Sequence, residues 1–326
     1  MKVFVVGGAG YVGAHACLAL HEAGHDVTVF DDLSTGYRQA VQWGELIEGS
    51  ILDLAAISNA LAAVRPDAVM HFGARSLVGE SVAHPYPYYQ ANVAGTLNLL
   101  EAMRAQAIDK LVFSSTAAVF GEPSSTPITE DHPQQPTNPY GRSKLMIEWI
   151  LRDAAHSYGL RSIALRYFNA AGADPQGRIG EAHEPETHLI PRLLRRARGE
   201  AMEMQIFGTE HPTPDGTCVR DYVHVLDLAD AHLRALDLLG RESGHQVFNL
   251  GNGQGFSVRE VVEAVEALTG QSLGAVDAPP RAGDPAILVA SHQLAARKLG
   301  WKPSRSSLQV ILEDAWNWHQ AQRYSA

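Results

Sequence analysis

The sequence predicts an α/β protein: a doubly wound parallel sheet over the first half, followed by a smaller C-terminal substrate-binding α/β lobe. Three observations predict it. Short apolar runs alternate with helical stretches as far as residue 165, a glycine cluster separates the first apolar run from the first helical stretch, and the second half is less regular. Near-continuous apolar strands are those buried on both faces of a parallel sheet by crossover helices.

The elements follow in order. Residues 2–6 read as a buried strand and 11–23 as a helix stopped by Gly24. Val27–Phe30 is a second strand and Leu46–Ile47 a weaker third; 55–64 is helical and ends before Pro66. Ala68–Phe72 is a strand, 92–105 a helix and 111–114 another strand. Asn138–Tyr158 is a long helix, with Asn138 as N-cap, Pro139 at its first position and Gly159 near its end. Ser162–Leu165 is a strand, and helical patterns return at 225–239, 257–268 and 307–321. The expected division is a nucleotide-binding domain over 1–168, with return segments near 225–250, and a second domain mainly over 169–326. No repeat, low-complexity tract or flexible linker separates them.

Gly7-Gly8-Ala9-Gly10-Tyr11-Val12-Gly13 joins the first strand to the first helix. Glycines let the chain turn tightly and let backbone approach a pyrophosphate at a helix N-terminus. Asp31 ends the second strand, 18 residues beyond Gly13. A carboxylate there accepts hydrogen bonds from both ribose hydroxyls and repels a 2′-phosphate. The combination predicts a Rossmann-type fold and favours NAD over NADP.

Tyr140 and Lys144 stand four apart, on one face of the long helix. A neighbouring ammonium and an oxidised nicotinamide would each favour phenolate, so Tyr140 is expected to titrate toward neutrality. Ser114-Ser115-Thr116 ends a strand at the carboxyl edge, where open α/β sheets bind ligands.

Composition narrows the function classes. Lys+Arg 26 against Asp+Glu 36 gives a net charge of −10, which argues against nucleic-acid or membrane-surface binding. The two cysteines, Cys17 and Cys218, exclude a disulfide framework and point to a reducing, cytoplasmic setting. Neither a signal peptide nor an apolar 18-mer is evident.

Longer motifs add a resemblance. They are GGAGYVGAH (7–15), DDLSTG (31–36), HFGARSLVGES (71–81), FSSTAAVFG (113–121), NPYGRSK (138–144), RYFNAAGA (166–173), ETHLIPRL (186–193), DGTCVRDYVHV (215–225), FNLGNG (248–253) and RAGD (281–284). On these the chain resembles the extended short-chain dehydrogenase/reductase family, and within it the branch that epimerises UDP-hexoses at carbon 4. The resemblance implies that Tyr140 is the acid/base, that Lys144 tunes it and binds the nicotinamide ribose, and that Thr116 is the assisting hydroxyl. It implies NAD contacts from Gly7, Gly10, Tyr11, Val12, Gly13, Asp31, Asp32, Ser34, Thr35, Gly36, Ser50, Ile51, Phe72, Gly73, Asn92, Ser114 and Phe168, besides Tyr140 and Lys144. For the UDP-hexose it implies Asn169, His188, Leu189, Gln205, Phe207, Arg220, Tyr222, Arg281, Asp284 and Leu288, besides Thr116 and Tyr140. The implied reaction interconverts UDP-galactose and UDP-glucose with tightly bound NAD. The implied assembly is a homodimer through helices near 92–105 and 139–156.

Some positions depart from the family pattern. Phe120 stands where Tyr is usual, Ser50 where Asp commonly meets adenine, and Ser76 where some members have Lys, with Arg75 beside it as a substitute. Leu288 is intermediate in size at the position that limits room at the sugar's 2-substituent, so glucose and galactose are expected to be preferred. UDP-N-acetylglucosamine and the UDP-xylose/UDP-arabinose pair are alternatives, and a non-catalytic NAD sensor is the rival of a different class. Ala117-Ala118 argues against a dehydratase, which needs an acid pair there. His21-Glu22-Ala23-Gly24-His25 matches a zinc-protease signature, but Gly24 should end the helix and strand His25 outside it. The remaining histidines show no ligand spacing, and no metal is assigned.

Overall fold

A computed structural model describes residues 1–280, 285–321 and 324. In chain order it contains β1 (Lys2–Val6), α1 (Tyr11–Glu22), β2 (Asp26–Asp31), β3 (Glu45–Glu48), α2 (Leu54–Val64), β4 (Ala68–His71), α3 (Val78–Ala83), α4 (Pro85–Tyr88), α5 (Gly95–Ala105), β5 (Lys110–Thr116), α6 (Pro139–Tyr158), β6 (Arg161–Tyr167) and β7 (Asn169–Ala171). There follow α7 (Leu189–Ala197), β8 (Gln205–Phe207), β9 (Val219–Arg220), β10 (Tyr222–His224), α8 (Val225–Leu239), β11 (His245–Leu250), β12 (Phe256–Ser257), α9 (Val258–Thr269), β13 (Val276–Ala278), β14 (Ile287–Leu288), α10 (Gln293–Lys298) and α11 (Leu308–Gln320).

The main sheet has seven strands in the order β11-β6-β5-β4-β1-β2-β3. All its pairings are parallel. Strand β1 shows why this is a doubly covered sheet. Val3 and Val5 pack into one core with Cys17 and Leu20 of α1 and Leu228 to Leu239 of α8. Phe4 and Val6 face the other way, toward Ile57 and Leu61 of α2, Leu99 and Met103 of α5, and Ile147 and Leu151 of α6. Alternate side chains of one strand therefore serve opposite cores. A third core joins α7, α9 and α11 around Leu193, Ile206, Val261 and Leu312.

The caps behave as the sequence predicts. Asn138 accepts from Gly141 N at 2.8 Å and Pro139 opens α6. Gly24, at φ +79°, follows the end of α1, so His25 lies outside the helix and the zinc-protease reading of 21–25 is excluded. Three features differ from the sequence reading. Residues 92–105 are not one α-helix: a π-helical turn over Tyr89–Ala94 precedes α5 and carries Asn92 inward. Helix α7 lies in the stretch read as irregular. Strand β11 completes the sheet beside β6, although its polar positions hide the strand pattern.

Candidate functional site

The glycine loop is shaped by close approach. Gly7 has φ +79°, and a Cβ there would lie 2.4 Å from Gly73 N. A Cβ on Gly13 would lie 2.1 Å from the Gly7 carbonyl. At Gly10 the same atom would meet only that carbonyl, at 3.5 Å. Gly10 is the N-cap of α1 and supplies no side-chain cap, so the first-turn amides of Tyr11, Val12 and Gly13 have no capping side chain to accept from them. Backbone donors at a helix start with an uncrowded glycine before them fit a pyrophosphate.

Gly7→Ala is accordingly expected to cost more than the ~1–2 kcal/mol of left-handed strain, because backbone must also move. Gly24 has the same φ of +79° with nothing within 4 Å. Gly24→Ala should therefore carry the strain alone and retain dinucleotide. Co-purified NAD and the denaturation midpoint of the two variants check this; equal loss in both would refute it.

Asp31 does more than the sequence suggests. Its Oδ2 accepts from Ala9 N at 2.9 Å and its Oδ1 from Leu33 N at 2.9 Å, fastening β2 to the glycine loop. Burial pushes its carboxyl above the usual range, against the pull of those two amides. A carboxylate offers about four acceptor sites, so capacity remains for ribose hydroxyls. The rest of 31–36 folds over the loop: Asp32 accepts from Ser34 N at 3.0 Å, a Cβ on Gly36 would touch Ala9, and Tyr37 N donates to Ala9 O at 3.0 Å. Thr35 lines a small cavity with Ala9, Gly10 and Tyr11. Ser50 and Ile51 lie beyond β3, where Ile51 packs where a Gly95 Cβ would sit. Phe72 and Gly73 both donate to Val6 O, at 2.7 and 3.0 Å, which holds them beside Gly7.

Thr116, at the carboxyl end of β5, lies close enough to Tyr140 for its hydroxyl to pull the phenol toward ionisation. Lys144 is buried, donates to Ser114 O at 2.9 Å and lies 4.8 Å from the centre of the Phe113 ring. Burial lowers its ammonium to about 7, with the Glu148 carboxylate opposing. Tyr140 departs from expectation. Burial holds the phenol above its ordinary value, Thr116 pulls the other way, and Lys144 contributes no resolved lowering. Among the chain's own groups, burial outweighs the pull of Thr116 on the phenol.

Asn92 places no free amide toward a ligand by itself. Its side chain donates to Arg75 O at 3.0 Å and Ser143 Oγ at 2.9 Å and accepts from Arg75 N at 2.8 Å. It ties the segment after β4 to α6, next to Tyr140. Arg75 turns its guanidinium to Glu80 at 3.2 Å.

The proposed sugar-side residues sort into groups. Asn169 pairs in register with Tyr222, and Leu288 with Arg220. Phe168 and Leu288 pack against Val119, Phe120, Ile128 and Leu145, forming an apolar wall under α6. Gln205 and Phe207 lie on β8, and Leu189 opens α7. Arg281 and Asp284 fall outside the described residues. His188, directly before Leu189, turns its Nδ1 to Glu181 and Glu186, each at 3.0 Å. Glu181, His183, Glu186 and His188 converge, although their spacing along the chain matches no familiar ligand pattern.

Three residues given no role in the sequence analysis support the site, although Tyr167 and Asp221 stand inside its motifs. Tyr167 shares a short hydrogen bond with Ser114 and lies close enough to Tyr140 to interact with it electrostatically. Glu148 pairs with Arg166 through Nε at 2.9 Å and Nη2 at 2.5 Å and accepts from Ser115 at 2.6 Å, all fully buried. Asp221 accepts from Asn252, Gly253 and Ala290 amides, binding the end of β11 to β9 and β14.

A family profile described as "NAD dependent epimerase/dehydratase family" matches residues 3–251. The chain belongs to that family. Members of the NAD-dependent epimerase/dehydratase family resemble it over nearly the whole length. A UDP-glucose 4-epimerase of Corynebacterium glutamicum is 52% identical over 97% of this chain and 95% of its own. The crystal structure of UDP-glucose 4-epimerase from Brucella ovis in complex with NAD is 47% identical, with a TM-score of 0.95 over 97% of each chain. That of the Bifidobacterium longum enzyme in complex with NAD+ and UDP is 37% identical, with a TM-score of 0.94 over 99% of each chain. No described helix is long and apolar enough to cross a membrane.

Proposed function

We propose that the protein interconverts UDP-galactose and UDP-glucose by transient oxidation at sugar carbon 4, as a cytoplasmic enzyme that keeps its NAD. The observation that carries this reading is the meeting of Thr116, Tyr140 and Lys144 at the carboxyl edge of the sheet, with Lys144 donating to Ser114 O, near the glycine loop. The names of the relatives at 47–52% identity support it.

The dinucleotide would lie along Gly7–Gly13, with its adenosine ribose on Asp31. When bound, NAD supplies the hydride acceptor and donor at carbon 4 and the positive charge that acidifies Tyr140. Tyr140 takes the proton of the 4-hydroxyl while Thr116 holds the same oxygen, and Tyr140 returns the proton after the 4-keto sugar has turned over. Lys144 holds the nicotinamide ribose and, through Ser114 O, the end of β5. Arg220, with Arg281, neutralises the diphosphate, since guanidinium binds phosphate oxygens in pairs. A hexose tethered only through its diphosphate is free to present either face.

The wall formed by Phe120, Phe168 and Leu288 supports a preference for plain hexoses. Initial rates on UDP-galactose should exceed those on its N-acetyl analogue, and the opposite order would overturn that preference. Exposed Leu97 on α5 and Trp149 on α6, 47% and 49% exposed, support pairing of two copies through these helices. Light scattering should give twice the chain mass.

The deciding experiment mixes purified protein with UDP-galactose and no added cofactor. UDP-glucose should accumulate to equilibrium. Failure to form it, both alone and after NAD is supplied, would refute the reading.

A further inference from the structure

Four side chains in the segment before α7 converge, of which only His188 is among the residues that the resemblance assigns to the UDP-hexose. The donor atoms of Glu181, His183, Glu186 and His188 all lie within 4.8 Å of one another. The Glu181 and Glu186 side chains are only 7% and 3% exposed. His183 Nδ1 stands 3.3 Å from Glu181 and 3.5 Å from Glu186, and His188 Nδ1 stands 3.0 Å from each. Both rings thus turn the same nitrogen toward the same two carboxylates.

Hydrogen bonding accounts for part of this arrangement: Glu186 Oε1 accepts from His188 N at 2.8 Å and lies 3.0 Å from His188 Nδ1. One N–H donates along one line. His183 Nδ1 is buried without any hydrogen-bond partner, so it aims between the two carboxylates and at neither. Four donors held tetrahedrally around one ion at zinc distances lie about 3.3 Å apart. The nitrogen–oxygen separations run from 3.0 to 3.5 Å, and the four donors lie within 4.8 Å of one another, so they would draw in on an ion. Two neutral imidazoles and two carboxylates around a divalent ion also sum to zero charge, which suits a buried setting.

We propose that Glu181, His183, Glu186 and His188 form a structural Zn2+ site. Donors of this type and number suit zinc, and with all four positions taken by protein none is left for water or substrate. The ion would sit where three parts of the fold meet. Trp318 of α11 donates to Glu181 O at 3.0 Å. His183 lies edge-on to Tyr11 with ring centres 6.5 Å apart, and the Tyr11 hydroxyl donates to Gly172 O at 2.6 Å. His188 is the N-cap of α7, directly before Leu189. The site would therefore brace the glycine-loop side of the molecule against α7 and α11. It stands whether or not the epimerase reading holds.

Elemental analysis of the purified protein and a Co2+ titration of chelator-treated protein test the proposal. About one zinc per chain is expected. Co2+ should restore the visible absorption bands of tetrahedral cobalt and raise the melting temperature. His183→Ala and Glu186→Gln should each abolish the bands and weaken Co2+ binding by more than the ~10–100-fold that an outer-shell partner supplies. If one variant fails to fold, the other carries the comparison, and the zinc content of the unaltered chain needs neither. Zinc-free protein whose Co2+ spectrum is featureless and unchanged in the variants would overturn the site and leave two His–Glu ion pairs in its place.

Discussion

Replacing Tyr140 with Phe is expected to lower turnover of UDP-galactose by about 10²–10⁴-fold, the range that a positioned proton-transfer group supplies. The change removes one oxygen and leaves the ring in place. Helix α6 keeps its cap on Asn138, and the glycine loop is untouched. NAD should therefore still co-purify at the unaltered ratio, and the melting temperature should hold. The same logic gives Thr116→Val a smaller loss, because Thr116 assists the phenol and does not carry the proton. Steady-state rates together with bound NAD measured on the same preparation decide the matter. Turnover of Tyr140→Phe within about tenfold of the unaltered enzyme would remove the phenol from the mechanism.

Glu148→Gln is expected to destabilise the protein by about 3–5 kcal/mol, the cost of leaving one partner of a buried ion pair uncompensated. Arg166 and Glu148 are 1% and 0% exposed, and the Arg166 guanidinium also covers the Phe120 ring with its carbon 5.0 Å from the centre. Loss of the carboxylate strands that cation between β6 and α6. It also removes the charge that holds Lys144 up against burial, so the Lys144 ammonium should fall further below about 7. Denaturant melts at constant slope measure the first effect. A double variant, Glu148→Leu with Arg166→Met, should recover much of the stability because no charge is left buried. If it proves no more stable than the single variant, the ion pair is not what the first substitution broke.

How far the chain declares itself depends on the range over which each feature acts. The glycine loop, the acid ending β2, the Asn138–Pro139 cap and the Tyr140–Lys144 spacing are local. Each depends on neighbours within about one turn or one strand, so residue type and spacing suffice to place them. The alternation of β1 into two cores is legible for the same reason: side chains on a strand change face at every residue. Tertiary structure decided what needs partners from distant segments. Strand β11 is polar at its start and becomes a strand only because β6 offers it a parallel edge. Asn92 holds Arg75 and Ser143 together across chain separations of 17 and 51 residues, and Arg166 finds Glu148 across 18. The acidity of Tyr140 could not be read from the presence of Lys144, because burial, set by the whole fold, outweighs a helix-face neighbour. The convergence of Glu181, His183, Glu186 and His188 was hidden likewise: loop backbone follows no fixed period, and only its path, pinned by Trp318 and the start of α7, turns the four donors to one point.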